Sequence, residues 1–198
     1  MVIDRLTQKD CREEYHLNQF DSSVLFVAPH GGGIEPGTDI LCREISNGGF
    51  SYYSYICPEY NGDYGINHPF HIPSHRFNTP RSDYLVSMHE RVCSLHLFNE
   101  QAEVVHVGGI DTKYCSAISD SLNHHGFSAI LDLDNNCGLH RNNICNRGRF
   151  GMGVQLEIST GLAKCLIVDS KLTVHGKSFT DIVRLFWRER GYLQPLDV

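Results

Sequence analysis

The chain has 198 residues, an ordinary apolar fraction and a net charge of −6 with its histidines neutral. That length suffices to bury one core, and no linker, repeat or low-complexity tract divides it, so one domain spanning residues 1–198 is expected. The acidic balance disfavours nucleic acid, whose phosphates require a basic face, and no apolar run is long enough to cross a bilayer, so a monomer that contacts neither is expected.

In chain order, Met1 to Asp10 carries charges and no continuous apolar region, so no secretory signal is visible. Synthesis in a reducing cytoplasm is expected, with action outside the cell only after release by lysis. Val24 to Ala28 reads as a strand and leads into "HGGGIEPGT", residues 30–38. Thr38 caps a helix whose Leu41 and Ile45 share one face, with Asn47-Gly48 as its stop. Phe50 to Ile56 is a second strand, and residues 57–82, rich in Pro, Gly, Asn and His, form a long loop of the kind that rims a site. Tyr84 to Met88, Glu103 to Val107, Ser128 to Leu131 and Val154 to Ile158 complete the strands. Thr112 to His125 and Phe179 to Arg190 complete the helices, the last turning Ile182, Leu185, Phe186 and Trp187 inward. Alternation of short apolar runs with helical segments predicts an α/β fold, a single open mixed sheet flanked by helices. The eight cysteines include no C-x-x-C pair, and reduced core thiols are expected.

The glycine-rich turn spaces Gly32, Gly37 and Thr38 as a phosphate loop would, but it lacks the lysine and carries Glu35, whose charge repels an anion and attracts a cation. His30 and Glu35 are ordinary zinc ligands with glycines between them that let the backbone fold tightly; the alternative is a solvated turn with a hydrogen-bonded histidine. A catalytic zinc takes three protein ligands. His89 is the third candidate, because "DYLVSMHE" reads as a strand ending at the histidine, and ligands gather at the carboxyl ends of strands. His106, inside "VVHVGG", reads as a core histidine, and His68, His71 and His75 stand in reserve. Glu157 interrupts the apolar strand "GVQLEIS", so it faces either solvent or a cavity with a positive partner. "RNNICNRGR", residues 141–149, is locally basic, and Arg141, Arg147 and Arg149 are candidates for gripping an anion; the alternative is a solvated loop.

Taken together, "HGGGIEPGT", the stretch ending "SMH", "VGG" at 107–109 and "NICNRGRFGMGVQLEIS" resemble the poly-γ-glutamate hydrolase family, phage enzymes and bacterial relatives similar in fold and site to zinc carboxypeptidases. The resemblance runs from about Val24 to Gly161. It implies zinc at His30, Glu35 and His89, and Glu157 as the general base that accepts a proton from zinc-bound water. Arg147, in the matching motif before the Glu157 strand, is the first choice for the oxyanion or a substrate carboxylate, with Arg141 and Arg149 as further substrate contacts. The implied substrate is poly-γ-glutamate. Two alternatives stay open: a zinc hydrolase of another peptide or acyl-amino-acid, and a non-enzymatic module for anionic polymers with a closed four-ligand site that recruits Asp39 or a loop histidine.

Overall fold

A computed structural model describes residues 10–21, 23–47, 49–133 and 137–191. Seven strands form one mixed sheet: β1 (Arg12–His16), β2 (Val24–Gly32), β3 (Ser51–Cys57), β4 (Arg91–Phe98), β5 (Val105–Gly108), β6 (Ala129–Leu131) and β7 (Val154–Ser159). Their spatial order is β1-β3-β2-β4-β7-β5-β6. The central β3-β2-β4-β7 pairings are parallel, while β1 on β3 and β5 on β7 run antiparallel. A short hairpin, β8 (Ile167–Val168) with β9 (Lys171–Leu172), stands apart.

The two faces of this sheet bury different things. One packs Val24, Phe26, Leu95, Val105, Val107, Leu156 and Ile158 against helices α1 (Thr38–Ser46), α3 (Thr112–His124), α4 (Thr160–Leu166) and α5 (Val174–Gly191). The other carries a smaller cluster of Leu25, Val27, Tyr53, Phe77, Leu85 and Ile144 beneath α2 (Pro80–Met88). Pairing partners share a face, so His96 of β4, Glu157 of β7 and His106 of β5 form a row across three neighbouring strands on this second face.

Three expectations are corrected. Tyr84 to Met88 is helical, not a strand: Thr79 caps α2 by accepting from Ser82 N, Ser82 reciprocates, and Pro80 starts the helix. The strand in this region is β4, which begins after His89, and the polar edge strand β1 joins the sheet as well. Two cysteines are not free thiols, because Cys11 and Cys57 form a disulfide that ties the segment entering β1 to the end of β3; Cys42, Cys93, Cys115, Cys137, Cys145 and Cys165 are free. Two details also shift. Gly37, not Thr38, is the N-cap of α1, and Thr38 Oγ1 donates to Glu35 O instead; the expected stop at Gly48 lies outside the described residues.

Helix α5 turns Ile182, Phe186 and Trp187 inward as expected, but not Leu185. Phe179, Ile182, Val183, Phe186 and Trp187 are buried, whereas Leu185 is 51% exposed. The Trp187 ring stacks on Tyr114 and meets Phe26 and Phe186 edge-on. Trp187→Ala is therefore expected to cost about 3–5 kcal/mol, and Leu185→Ala less than about 1 kcal/mol, in denaturant unfolding of the two variants.

Candidate metal centre and active site

The position of His30 depends on an irregularity in β2. Ala28 pairs with Ser54 and Gly31 with Ile56, so three steps along β2 match two along β3. This bulge reverses the alternation, and His30, which would otherwise follow Phe26 and Ala28 onto the helix-covered face, turns to the face of His96. The glycines then permit close approach. Gly32 has φ +68°, and a Cβ there would lie 2.3 Å from Cys57 O, so the strand end presses directly on β3. Glu35 N donates back to His30 O at 2.7 Å, which closes the turn and returns the carboxylate to the imidazole.

Three buried side chains meet here. Glu35 Oε1 lies 2.8 Å from His30 Nδ1, Glu35 Oε2 lies 3.3 Å from His96 Nδ1, and the two Nδ1 atoms are 3.2 Å apart. Each imidazole is held from behind: His30 Nε2 donates to Ile72 O at 2.7 Å, and His96 Nε2 meets Ser74 Oγ at 3.3 Å. Leu97 N donates to Glu35 Oε2. With Nε2 of His30 carrying the proton, its Nδ1 presents a lone pair toward a carboxylate. Such a set requires positive charge, either further protons on the imidazoles or one cation among them. The two longer separations agree with the edge of a zinc tetrahedron, about 3.3 Å for bonds of 2.0–2.1 Å. Burial is the largest influence on Glu35 and pushes its carboxyl up, but the charges and hydrogen bonds of His30 and His96 together overcome it and hold it well below the usual carboxylate range. Burial pushes His96 down, and Glu35 beside it raises it above its ordinary value.

His71 adds a fourth donor. Ligand atoms of His30, Glu35 and His71 lie within 4.8 Å of one another, and the His71 ring packs over that of His30 with centroids 4.3 Å apart. Burial, followed by the charge of His30, lowers its pKa to about 4. Glu157 stands beside the group. Burial raises its pKa, assisted by the charge of Glu35 and opposed by that of His96. Gln155 Nε2 donates to Glu157 Oε1 at 2.7 Å, and Asn143 Nδ2 donates to Gln155 Oε1 at 2.9 Å, so a buried amide relay fixes which way the carboxylate turns.

The structure brings His30, Glu35 and Glu157 together but not His89. His89 caps the C-terminus of α2, fully buried, with Nδ1–H donating to Leu85 O at 2.7 Å and with Asp21 and Arg149 as its charged neighbours. It precedes β4, while His96 lies near the other end of that strand, roughly 20 Å away at about 3.3 Å per residue. Nor does the arginine cluster converge. Arg147 Nη1 pairs with Asp83 at 3.3 Å and Nη2 donates to Phe77 O, so an oxyanion contact would require it to leave both. Arg149 pairs with Glu90. Arg141 is exposed, next to His140, whose ring lies 5.0 Å from that of His75. Asp39 accepts from Gly32 N and so braces the turn. The third ligand-type residue that the sequence reading does not single out is His96; the only signal for it is a histidine breaking the apolar alternation of "VCSLHLF".

A cavity of about 630 Å³ opens beyond Gly33 and Leu97, but among the described residues Glu59, Asp63 and Asp169 line it with a single cation, Lys164. None of the clustered histidines or Glu157 faces it. Its charge suits an anionic ligand poorly.

The model of the poly-gamma-glutamate hydrolase family matches residues 4–188. The chain is 34% identical over 173 residues to UPF0714 protein YndL and 38% identical over 166 residues to the SPbeta prophage-derived UPF0714 protein YoqZ, both of Bacillus subtilis (strain 168). These alignments cover 84% and 80% of this chain and 67% and 57% of the relatives, so it spans only part of their length. Among solved structures, a bacteriophage poly-gamma-glutamate hydrolase superposes with a TM-score of 0.82 at 25% identity, covering 93% of this chain and 91% of that one. YndL in an apo, zinc-free form also superposes with a TM-score of 0.82, at 31% identity and with 96% and 94% covered. The match over nearly the whole described sheet and its flanking helices is specific enough to fix the family: the chain belongs to the poly-gamma-glutamate hydrolase family.

Proposed function

We propose that the chain is a zinc-dependent amidohydrolase, one domain that cleaves the γ-glutamyl amide bonds of poly-γ-glutamate. The observation that carries this reading is the buried meeting of His30 Nδ1, Glu35 and His96 Nδ1 with Glu157 alongside. His30, Glu35 and His96 would hold the metal, and His96 replaces His89 in the expected set. The zinc-free form described for YndL supports the choice of metal. When bound, zinc supplies a Lewis acid that brings the pKa of water to about 7 and polarises a carbonyl.

The side chains supply the rest. Glu157 accepts the proton of the attacking water, and burial, which raises its affinity for that proton, suits it to pass the proton on to the leaving nitrogen. Gln155 and Asn143 keep its carboxylate turned to that task. Every residue of a γ-linked polymer bears a free α-carboxylate, and the exposed rim of His75, His140 and Arg141 offers donors to it near Ser74, which touches His96. Arg147 then acts by anchoring: it clamps Phe77 O and Asp83, at the end of the segment whose Ile72 and Ser74 hold the two histidines.

A closed four-ligand site in a binding module is the second reading, and His71 is the observation that favours it. Its ring is tilted by 36° to that of His30 with centroids 4.3 Å apart, and the proposed three-ligand set leaves it out. The readings separate on metal content. His30→Ala, Glu35→Ala and His96→Ala should each lose the roughly one zinc per chain expected in the parent, whereas His89→Ala and His71→Ala should retain it. Loss of zinc in His71→Ala would favour the closed site.

Glu157→Gln keeps size and shape but cannot accept a proton. Its turnover of poly-γ-glutamate should fall by about 10²–10⁴-fold with zinc content unchanged, and near-normal turnover would remove Glu157 as the base. The two arginines should part company. Arg141→Ala should raise KM for long polymer several-fold with kcat nearly unchanged, while Arg147→Ala should lower the melting temperature by a few degrees, consistent with about 1–3 kcal/mol for a lost charged hydrogen bond.

A further inference from the structure

His106 is the one member of the row on the second face that the reading above leaves unused. It is the cross-strand partner of Glu157 on the side away from His96, so the two side chains rise from the same face of an antiparallel pair, about 5 Å apart at the backbone. Its orientation is built. His106 Nδ1 lies 3.0 Å from Asp132 Oδ2, on a carboxylate that is itself only 8% exposed, and the imidazole packs on Phe98 with ring centroids 4.9 Å apart. An ionised carboxylate only accepts, so the proton between them sits on Nδ1, and in the neutral imidazole Nε2 carries the lone pair. The imidazole keeps 30% of its surface exposed, unlike the buried His30 and His96. A core histidine needs none of this arrangement.

We infer that His106, oriented by Asp132, is a further catalytic residue that holds the leaving side of the scissile amide. The inference rests on the amidohydrolase reading and deepens it. An amide bound with its carbonyl toward His30, Glu35 and His96 and its carbonyl carbon beside Glu157 carries its N–H one strand further along the row, at His106. Nε2 accepts that N–H. As water adds to the carbon and Glu157 takes the water's proton, the nitrogen becomes pyramidal. With its N–H fixed on His106, its lone pair turns to the Glu157 carboxyl. Glu157 then returns the proton to nitrogen, the C–N bond breaks with its electron pair going to nitrogen, and an amine leaves. One water is consumed, Glu157 ends as it began, and His106 changes no bond.

The distinguishing consequence is a dependence on the leaving atom. An ester with the same γ-glutamyl acyl group presents an oxygen without hydrogen, so it has nothing for His106 Nε2 to accept. Steady-state kinetics on a γ-glutamyl oligomer and on the matching ester, together with zinc content and melting temperature, should be measured for the parent, His106→Ala, His106→Gln and Asp132→Asn. We expect amide kcat to fall about 10–100-fold in His106→Ala, less in His106→Gln and Asp132→Asn, with KM little changed, zinc retained and ester turnover near that of the parent. Undiminished amide turnover in both His106 variants would overturn the inference while a zinc-loaded, active parent keeps the amidohydrolase reading intact. Equal losses on amide and ester would also overturn it, by assigning His106 to acyl-group binding or to folding. A parent that cleaves neither substrate would overturn both readings.

Discussion

One extra residue in β2 governs the site. Without the bulge between Ala28 and Gly31, strict alternation would send His30 into the apolar layer under α1 and α5, where an imidazole has no partner and would cost several kcal/mol unsatisfied. With it, the histidine faces Glu35 and His96, and three groups that are individually expensive to bury share one another. The rest follows from that placement. Gly32 has to be glycine because the displaced strand end lies against Cys57 O, and the loop carrying Ile72 and Ser74 is held over the imidazoles because it supplies their outer hydrogen bonds.

The sheet divides labour between its faces. The helix-covered face holds most of the apolar core, including Phe26, Leu95, Leu156 and Trp187, and it is dense enough to fix strand positions. The opposite face is apolar only near β3 and β2, and toward β4, β7 and β5 it becomes a row of titratable groups with amides behind it. A rigid floor carrying a polar row is what the proposed hydrolysis of an unactivated amide would require, since each group must be fixed before charge develops.

Much of this was legible in residues whose chemistry conflicts with their setting. Glu35 in a glycine turn and Glu157 in an apolar strand are both out of place as structural residues, and the structure sets both near His30 and His96. The α/β sheet with helices on it was legible from alternation, and the family from motifs within residues 24–161. What was not legible depends on pairing. Pro29 in "VLFVAPHGG" marks an irregularity, since a central strand admits proline only at a bulge, but it does not say which face His30 then takes; Tyr84–Met88 is too short for its period to separate helix from strand, and Thr79-Pro80 and Ser82 hold the deciding signal as a cap. Reading that segment as a strand promoted His89 and hid β4, and with it His96. Sequence proximity to Glu157 singles out the arginines, while Asp83 and Glu90, which engage two of them, come from distant sequence.

The most direct test of the account is a zinc-edge anomalous difference map from a crystal of the zinc-loaded chain. It should contain one strong peak, bounded by His30 Nδ1, Glu35 and His96 Nδ1, with a solvent molecule completing the coordination on the Glu157 side. A peak at His89, or one enclosed by four protein ligands including His71 with no solvent position, would contradict it.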